Sequence, residues 1–211
     1  MAAESSPEGS AGDFPFTPVR QFPNPPSIGD LINTLDLSPH PEGGYFRRTH
    51  TNAETLNGAS DSKPHPLSSS IYYLLTPSSP IGRFHRHASL TVHCLHKGKG
   101  RYVLIHDDGK IETFPVGLDV DKGERMQWIV GGEIWKASWS LGEQDEGLLI
   151  SEVSARFGVV LGLPNDNRYS CLKVVIPAFS FDHHEFLTEE RLECLVGVER
   201  SRTMKWLVKS E

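Results

Sequence analysis

The chain has 211 residues, of which 37% are hydrophobic and 23% are charged, and its net charge is -6. This length is typical of one domain, and the lack of a long basic run argues against nucleic acid as a partner. Three cysteines without metal-type spacing argue against a disulfide framework or a zinc ribbon. No apolar stretch approaches the roughly 18 residues of a membrane span, so we expect a cytoplasmic protein without a membrane partner.

The first part of the chain, residues 1–27, is rich in Pro, Ser, Gly and Ala. Such a composition buries too little apolar surface to offset the entropy of ordering, so we predict a flexible arm. Residues 28–211 are predicted to form a single domain. It begins with a short amphipathic helix, for which Ser27 is the predicted N-cap, and this helix ends before Pro39.

Short runs of β-branched and aromatic residues follow, separated by turn residues. The Asp108-Gly109 pair between two such runs predicts a hairpin. No repeat of roughly 20 to 50 residues is visible, so the pattern predicts a closed barrel or a double-sheet jelly roll. After Thr188, acidic residues precede an apolar stripe, which predicts a helix with Thr188 as N-cap, packed on the outside of the barrel.

Histidines are concentrated in one segment, where His85, His87, His93 and His96 lie close together. Because alternate residues of a strand share a face, His85 and His87 are predicted to point the same way, as are Thr91 and His93. Neutral imidazole binds Zn, Fe, Ni or Cu, and it exchanges protons near neutral pH. Metal binding and proton transfer are therefore both open, and a structural role is the alternative for any single histidine.

The spacing of His85, His87, Thr91 and Gly98 resembles the first motif of the cupin superfamily, except that Thr91 stands where a Glu commonly completes the metal site. Further segments are similar to signatures of the small RmlC-like cupins of unassigned function, sometimes called the fifth cupin family. These segments are HPEGGYFRRT from residue 40, SSIYYLL from 69, FHR from 84 and IPAFSFDHHEF from 176. The resemblance spans roughly residues 30–195. It implies an all-β double-stranded β-helix with a few short peripheral helices, commonly homodimeric, with a pocket for a small molecule.

The same resemblance weakens a metal-site hypothesis. No His lies in the segment directly after Gly132, where the resemblance would place the fourth metal ligand of a cupin, and Trp135 and Lys136 lie there instead. We therefore favour a site without a cofactor, and a divalent metal is the alternative. If a divalent metal is bound, Fe, Zn, Mn or Ni would be held by His85, His87, His93 and His96.

The pocket residues follow from strand alternation and from the resemblance. After the glycines of the Glu42 segment, alternation places Tyr45 and Arg47 on one face and Phe46 and Arg48 on the other. We assign the first pair to the pocket, where the Arg47 guanidinium would bind a carboxylate or phosphate; the alternative is that Arg47 pairs with Glu42 and braces the barrel end. By analogy with sugar epimerases of related fold, either His85 or His93 is the predicted base and Tyr45 is the predicted acid, with Tyr72 or Tyr73 as alternative acids. Glu185 is the predicted acidic partner. The predicted substrate-binding residues are Glu42, Arg47, Tyr73, His87, Thr91 and Trp135.

Three functions remain open. The favoured one is an isomerase, epimerase or cyclase that uses acid-base chemistry on a small organic metabolite, carboxylated or sugar-like. The second is a metal-dependent cupin enzyme, such as a dioxygenase or decarboxylase, and the third is a binding module without catalysis.

Overall fold

The computed structural model describes residues 16–57, 64–141, 146–155, 158–159, 174–175 and 184–210. Two antiparallel sheets face each other in these residues, with short helices outside them. The helices are α1 (Pro26–Thr34), α2 (Glu189–Val196) and α3 (Val198–Met204), with 3₁₀ turns at Val120–Lys122 and Lys205–Leu207. The strands are β1 (Ser38–Pro39), β2 (Tyr45–Thr51), β3 (Thr55–Asn57), β4 (Pro64–Pro66), β5 (Ser68–Leu75), β6 (Ile81–His87), β7 (Leu90–Lys97), β8 (Gly100–Ile105), β9 (Ile111–Val116), β10 (Gln127–Val130), β11 (Trp135–Ser140), β12 (Leu148–Ala155), β13 (Gly158–Val159), β14 (Val174–Val175) and β15 (His184–Phe186).

The strand order confirms the predicted all-β jelly roll. One sheet has the order β1-β2-β5-β12-β7-β10 and the other has the order β15-β6-β11-β8-β9. Two small ribbons, β3 with β4 and β13 with β14, complete the described pairings. Neighbours in each sheet come from distant parts of the chain, which is how the fold brings separate segments to one cavity.

Strand alternation divides the apolar residues between the interior and the outer faces. At one end, the space between the two sheets is filled by an apolar cluster that includes Tyr102, Trp128 and Ile150. The outer face of β6 and β11 carries Phe84, Trp135 and Trp139, which pack against α2, α3 and the turn after them. Helix α1 covers Leu74 and Leu149 on the outer face of the other sheet. The predicted position of the C-terminal helix outside the barrel is confirmed.

Two local predictions are confirmed and one is wrong. The Thr188 Oγ1 atom accepts the Arg191 N–H, as an N-cap should. The Asp108-Gly109 pair closes the hairpin between β8 and β9, with Gly109 at a φ of 79°. Ser27, however, lies inside α1, and Pro25 is at the N-cap without a side-chain bond. A proline near the helix start needs no N–H partner there, so this helix forms without the predicted serine cap.

The segment before α1 lies against the barrel where it is described. Phe16 packs edge-on against Trp139, and the Trp206 Nε1–H donates to the Phe16 carbonyl. The Phe22 N–H donates to the Pro77 carbonyl. Residues 1–15 of the arm predicted for 1–27 lie outside the described residues, and its flexibility stays a prediction. Among the helices of the described residues, none is long and apolar enough to cross a membrane. The homodimer stays a prediction.

Candidate functional site

The end of the barrel opposite the apolar cluster holds a polar cavity. With its open mouth, this cavity has a volume of about 480 Å³. Its walls come from β2, β5, β6, β7, β11 and β12 and from the turn before β2. The titratable side chains of the lining are His40, Glu42, Arg48, His85, His87, Lys136 and Glu152. Most of them are buried, so their partners decide what they can do.

Two glycines place Glu42 in this cavity. Gly43 has a φ of 105° and Gly44 has a φ of 68°, conformations that favour glycine. A Cβ atom at Gly43 would lie 2.1 Å from the Ile81 carbonyl oxygen. The Arg83 N–H donates to the Glu42 carbonyl at 2.7 Å, and the Tyr73 hydroxyl donates to the Gly43 carbonyl at 2.9 Å. The turn is therefore fixed against the barrel, and the Glu42 carboxylate points inward.

Three imidazoles surround the Glu42 carboxylate. The His184 Nε2 atom lies 2.7 Å from Oε1, and the His85 Nε2 atom lies 3.4 Å from Oε2. The His40 Nδ1 atom lies 3.6 Å from Oε2 and accepts the Glu42 N–H. His85 and His184 stack, with ring centroids 5.2 Å apart. The cluster joins a turn, an inner strand and the last strand of the chain.

Hydrogen bonds determine which nitrogen of His85 carries the proton. The His85 Nδ1 atom lies 2.8 Å from the Arg83 carbonyl oxygen, which can only accept, so Nδ1 donates. In the neutral ring, Nε2 then holds a lone pair that faces the cavity and Glu42. His87 has the opposite tautomer, because its Nδ1 accepts the Ser89 N–H at 3.0 Å. In the neutral rings, Nε2 of His85 is therefore a proton acceptor, and Nε2 of His87 carries a proton and is a donor.

Burial and charge shift the pKa values of these groups in opposite ways. Burial lowers the pKa of His85 to about 4, with Lys136 and His184 adding to this shift and Glu42 opposing it. Burial also lowers the pKa of His40. For Glu42, burial raises the pKa, but His85 and the His184 hydrogen bond outweigh it and hold the pKa well below its usual range. A charged Glu42 carboxylate beside neutral His40 and His85 imidazoles is the resulting state at neutral pH.

A second buried network borders the first. The Lys136 Nζ atom lies 3.1 Å from Glu152 Oε2 and 3.1 Å from His93 Nε2. His93 is fully buried and stacks on Trp128 with ring centroids 5.1 Å apart. Burial lowers the pKa of His93 well below its usual value, and the nearby Lys136 ammonium adds to the shift. Lys136 pairs with His85 across β11 and β6, so its ammonium lies next to the first cluster.

The structure brings several predicted site residues to the cavity. Glu42, His85, His87 and Thr91 line it, as predicted from the sequence. His93 lies one layer behind, with its Nε2 atom bound by Lys136. Tyr73 is buried next to the cavity, but its hydroxyl is used by the Gly43 carbonyl and its pKa is raised well above the usual value by burial.

The prediction that the Tyr45 and Arg47 face of β2 lines the cavity is wrong. Phe46 and Arg48 line the cavity, whereas Tyr45 packs on the outer cluster below α1. Arg47 is exposed, and its Nη1 donates to the Leu35 carbonyl at 3.2 Å. The residues Tyr45 and Arg47 therefore do not reach a ligand in the cavity.

Four further predicted residues lie elsewhere. Glu185 is on the outer face of β15, where it forms ion pairs with Arg86 and Arg191. Trp135 is fully buried in the cluster between the second sheet and the C-terminal helices. His96 is exposed, and its ring contacts Tyr72 on the outer face of the six-stranded sheet, so neither residue faces the cavity.

Sequence reasoning did not select His40, His184, Arg48, Lys136 or Glu152 for the site. His184 was missed because its neighbour Glu185 was chosen, although the two lie on opposite faces of one short strand. His40 is the first residue of the segment that carries the family resemblance. Glu152 stands in the run LLISEVS, where the only signal is a charged residue on the apolar face of a strand.

A divalent metal would not fit the positions that the cupin motif suggests. The His87 Nδ1 atom is engaged, Thr91 offers no carboxylate, and a lysine ammonium contacts His93. A different trio fits better: ligand atoms of Glu42, His85 and His184 all lie within 4.8 Å of one another. The 3.4 Å between Glu42 Oε2 and His85 Nε2 is close to the ligand separation of about 3.4 Å in a tetrahedral site with bonds of about 2.1 Å. The 2.7 Å between Glu42 Oε1 and His184 Nε2 is a hydrogen-bond distance, so this bond would have to open for a metal to enter.

This chain is similar in sequence to a known family and to a yeast protein. Residues 29–157, more than half of the chain, match the family model described as "Cupin superfamily (DUF985)". The uncharacterized protein YML079W of Saccharomyces cerevisiae is 38% identical over 199 residues, which cover 88% of this chain and 89% of the yeast protein.

Two solved structures resemble most of the chain. A hypothetical protein from Leishmania major is 23% identical, with a TM-score of 0.67, and the match covers 86% of this chain and 98% of that one. The protein SO0799 from Shewanella oneidensis is 26% identical, with a TM-score of 0.65, over 86% of this chain and 97% of that one. Both likenesses support the jelly-roll barrel, and neither protein's name states an activity.

Proposed function

Because the chain belongs to the DUF985 family of the cupin superfamily, we propose that its barrel cavity is the active site of an enzyme that moves a proton on a small organic molecule. Isomerases, epimerases and cyclases carry out such reactions. One observation carries the proposal: His85 is buried with Nδ1 bound to the Arg83 carbonyl and Nε2 facing the cavity beside a carboxylate.

His85 has the features of a general base. Its ring is fixed by the Arg83 carbonyl, so only Nε2 can take a proton from a ligand. When Nε2 is protonated, the imidazolium lies 3.4 Å from Glu42 Oε2, and the ion pair stabilises the charge that forms. Glu42 therefore acts as a positioning residue, itself held by the His184 Nε2–H.

Lys136 supplies the complementary charge. Its ammonium has three N–H donors, of which Glu152 and His93 take one each. No described residue takes the third donor, and we propose that it serves a ligand in the cavity. If His85 removes a proton next to a carbonyl, the electron pair of the broken C–H bond moves to the carbonyl oxygen, and a lysine ammonium stabilises the resulting enolate. Return of the proton to the opposite face of the same carbon completes an epimerisation. In an α-hydroxy carbonyl compound, movement of the hydroxyl proton to the enolate oxygen and delivery of the abstracted proton to the former carbonyl carbon complete an isomerisation.

Proton exchange in D₂O tests this function even when the product of the reaction is not identified. The chelator-treated protein is incubated with short 2-oxo acids, hydroxy aldehydes and ketoses, and loss of the proton next to the carbonyl is followed by ¹H NMR. We expect exchange with at least one compound class. We expect the His85→Asn variant to lose it, because the amide can still bind the Arg83 carbonyl but is not a base.

The matched control is His96→Asn, which changes an exposed histidine on the outer face. It should exchange at the wild-type rate. Equal exchange rates in wild type and His85→Asn would contradict the assignment of the base. If no compound class exchanges, the cavity has no such activity on carbonyl compounds, and a binding module without catalysis becomes the better description.

A metal-dependent cupin enzyme is the second candidate, supported by the Glu42, His85 and His184 trio. Two imidazoles and one carboxylate form a ligand set for Zn or Fe, and a metal held there would supply Lewis-acid chemistry. Metal analysis of untagged protein separates the two candidates. Near-stoichiometric Fe, Zn, Mn or Ni that is lost in His184→Ala but kept in His96→Asn would favour the metal-dependent enzyme.

A further inference from the structure

Resting on the proposed function, we infer that the cavity takes a small monocarboxylate and that Arg48 binds the carboxylate group. The inference starts from the position of Arg48. It lies on β2, lines the cavity and is exposed, which places its side chain at the mouth. No ion pair or hydrogen bond of Arg48 forms with the described part of the chain.

The acidic groups of the cavity have partners of their own. The Glu42 carboxylate accepts the His184 Nε2–H at 2.7 Å, and Glu152 pairs with Lys136 at 3.1 Å. Neither carboxylate lies within ion-pair distance of Arg48 in the described contacts. The guanidinium at the mouth is therefore the charge that a ligand would complement, and the ligand charge that it selects is negative.

The surroundings favour a carboxylate over a phosphate. A planar guanidinium matches the two oxygens of a carboxylate in a bidentate pair. Glu42 and Glu152 in the same lining would repel a dianion more strongly than a monoanion. Phe46, two residues before Arg48, and Ile71, its partner on β5, also line the cavity and give the ligand an apolar wall. This combination fits a short organic acid whose carbonyl points toward Lys136 and His85.

Arg47 is a matched control beside the residue under test. It carries the same side chain on the opposite face of β2 and donates to the Leu35 carbonyl. The variants Arg48→Gln and Arg47→Gln change the net charge equally, so nonspecific electrostatic effects are the same in both. Circular dichroism and the thermal midpoint would establish that both variants are folded.

Isothermal titration with wild type and both variants tests the inference. The probes are acetate, lactate, pyruvate and 2-oxobutyrate, the neutral amides of these acids, and inorganic phosphate. We expect at least one acid to bind wild type and Arg47→Gln with equal affinity and Arg48→Gln about tenfold or more weakly. The amides should bind more weakly than the acids, and equally to all three proteins.

The inference is overturned if no acid binds wild type, if Arg48→Gln binds the acids as well as Arg47→Gln does, or if phosphate binds as tightly as the best acid. The D₂O exchange assay keeps the two proposals apart. Exchange that needs His85 but an affinity that does not need Arg48 would remove the carboxylate assignment alone. Binding that needs Arg48, with no exchange of any bound acid, would remove the proposed catalysis and leave recognition.

Discussion

The His184 Nε2 atom lies 2.7 Å from Glu42 Oε1, and this hydrogen bond joins residues that are 142 positions apart in the chain. It connects the turn before the first long strand to the last strand of the barrel. The stack of His184 on His85 adds the inner strand β6 to the same cluster. The centre of the site therefore exists only when the barrel is closed by its C-terminal strand.

Substitution of Glu42 should separate the chemical role of this carboxylate from its structural role. In Glu42→Gln, the amide oxygen can accept the His184 Nε2–H while the amide N–H donates to His85 Nε2. We expect a cost of only about 1 kcal/mol in unfolding free energy, together with loss of proton exchange, because the base lone pair is occupied.

The Glu42→Ala variant provides the comparison. It leaves the His184 Nε2–H and a buried space without a partner, so we expect a cost of about 3 kcal/mol. Urea unfolding and the D₂O assay measure the two quantities. A Glu42→Gln protein that keeps wild-type exchange would show that the carboxylate charge is not needed.

Addition of one methyl group at Gly43 should destabilise the protein. Its positive φ disfavours alanine, and the new Cβ atom would collide with the Ile81 carbonyl oxygen. We expect Gly43→Ala to cost about 2 kcal/mol or more. The same change at Gly29, in α1, meets no atom within 4 Å and should stabilise the protein by about 0.5 to 1 kcal/mol. Equal midpoints of denaturation for the two variants would contradict this account of the turn.

Stability should fall as the pH is lowered below about 6.5, the pKa of an unfolded histidine. His93 is held neutral by burial, next to Lys136 at 3.1 Å, Glu152 at 3.5 Å and the Tyr102 ring. Because its folded pKa is depressed, the unfolded chain binds more protons than the folded protein below about pH 6.5, and each pKa unit contributes about 1.4 kcal/mol. Glu42, with its depressed pKa, adds a loss of the same sign at lower pH.

Urea unfolding of chelator-treated protein between pH 7 and pH 4 checks this dependence. In His93→Gln the slope against pH should become shallower, because the titrating group is gone while the amide oxygen can still accept from Lys136. His96→Gln, on the exposed outer face, should keep the wild-type slope. A His93→Gln slope as steep as that of wild type would refute the assignment to His93.

The sequence predicts the faces of a strand more readily than which face is inside. Alternation correctly separates Tyr45 and Arg47 from Phe46 and Arg48, but both pairs contain an aromatic residue and a cation, so composition does not choose between them. The choice is made by the register between β2 and β5, which the Gly43-Gly44 turn fixes. That register is a tertiary property and has no local signal.

The same limit applies at the C-terminal strand. Glu185 pairs across the sheet with Arg86 on the outer face, while His184 pairs with His87 on the inner face. A shift of one residue would exchange their roles, and the segment DHHE, residues 182–185, is polar at every position, so its composition does not choose between the two faces. The fold and the histidine strand were predictable because their motifs are local, whereas His184 and Glu152 reach the site through pairings between distant strands.

Removal of one member of the Lys136 and Glu152 pair should cost more than removal of both. Their side chains are 6% and 12% exposed, and Nζ lies 3.1 Å from Oε2. Lys136→Met leaves a nearly buried carboxylate beside His93 without its cation, and Glu152→Met leaves the ammonium without its anion. Because an uncompensated charge in a low-dielectric interior is costly, we expect each single variant to lose about 3 kcal/mol of unfolding free energy.

The double variant Lys136→Met/Glu152→Met removes both charges and keeps the volume nearly constant, so it should recover at least half of the larger single loss. Lys99 and Glu124 form the matched surface pair, with Nζ 2.8 Å from Oε1 and the lysine half exposed, and their cycle should give a coupling below about 1 kcal/mol. Additive losses at the buried pair would mean that water reaches both charges. A large coupling with loss of proton exchange in Lys136→Met, at pH values where that variant is folded, would tie this buried charge to the chemistry of His85.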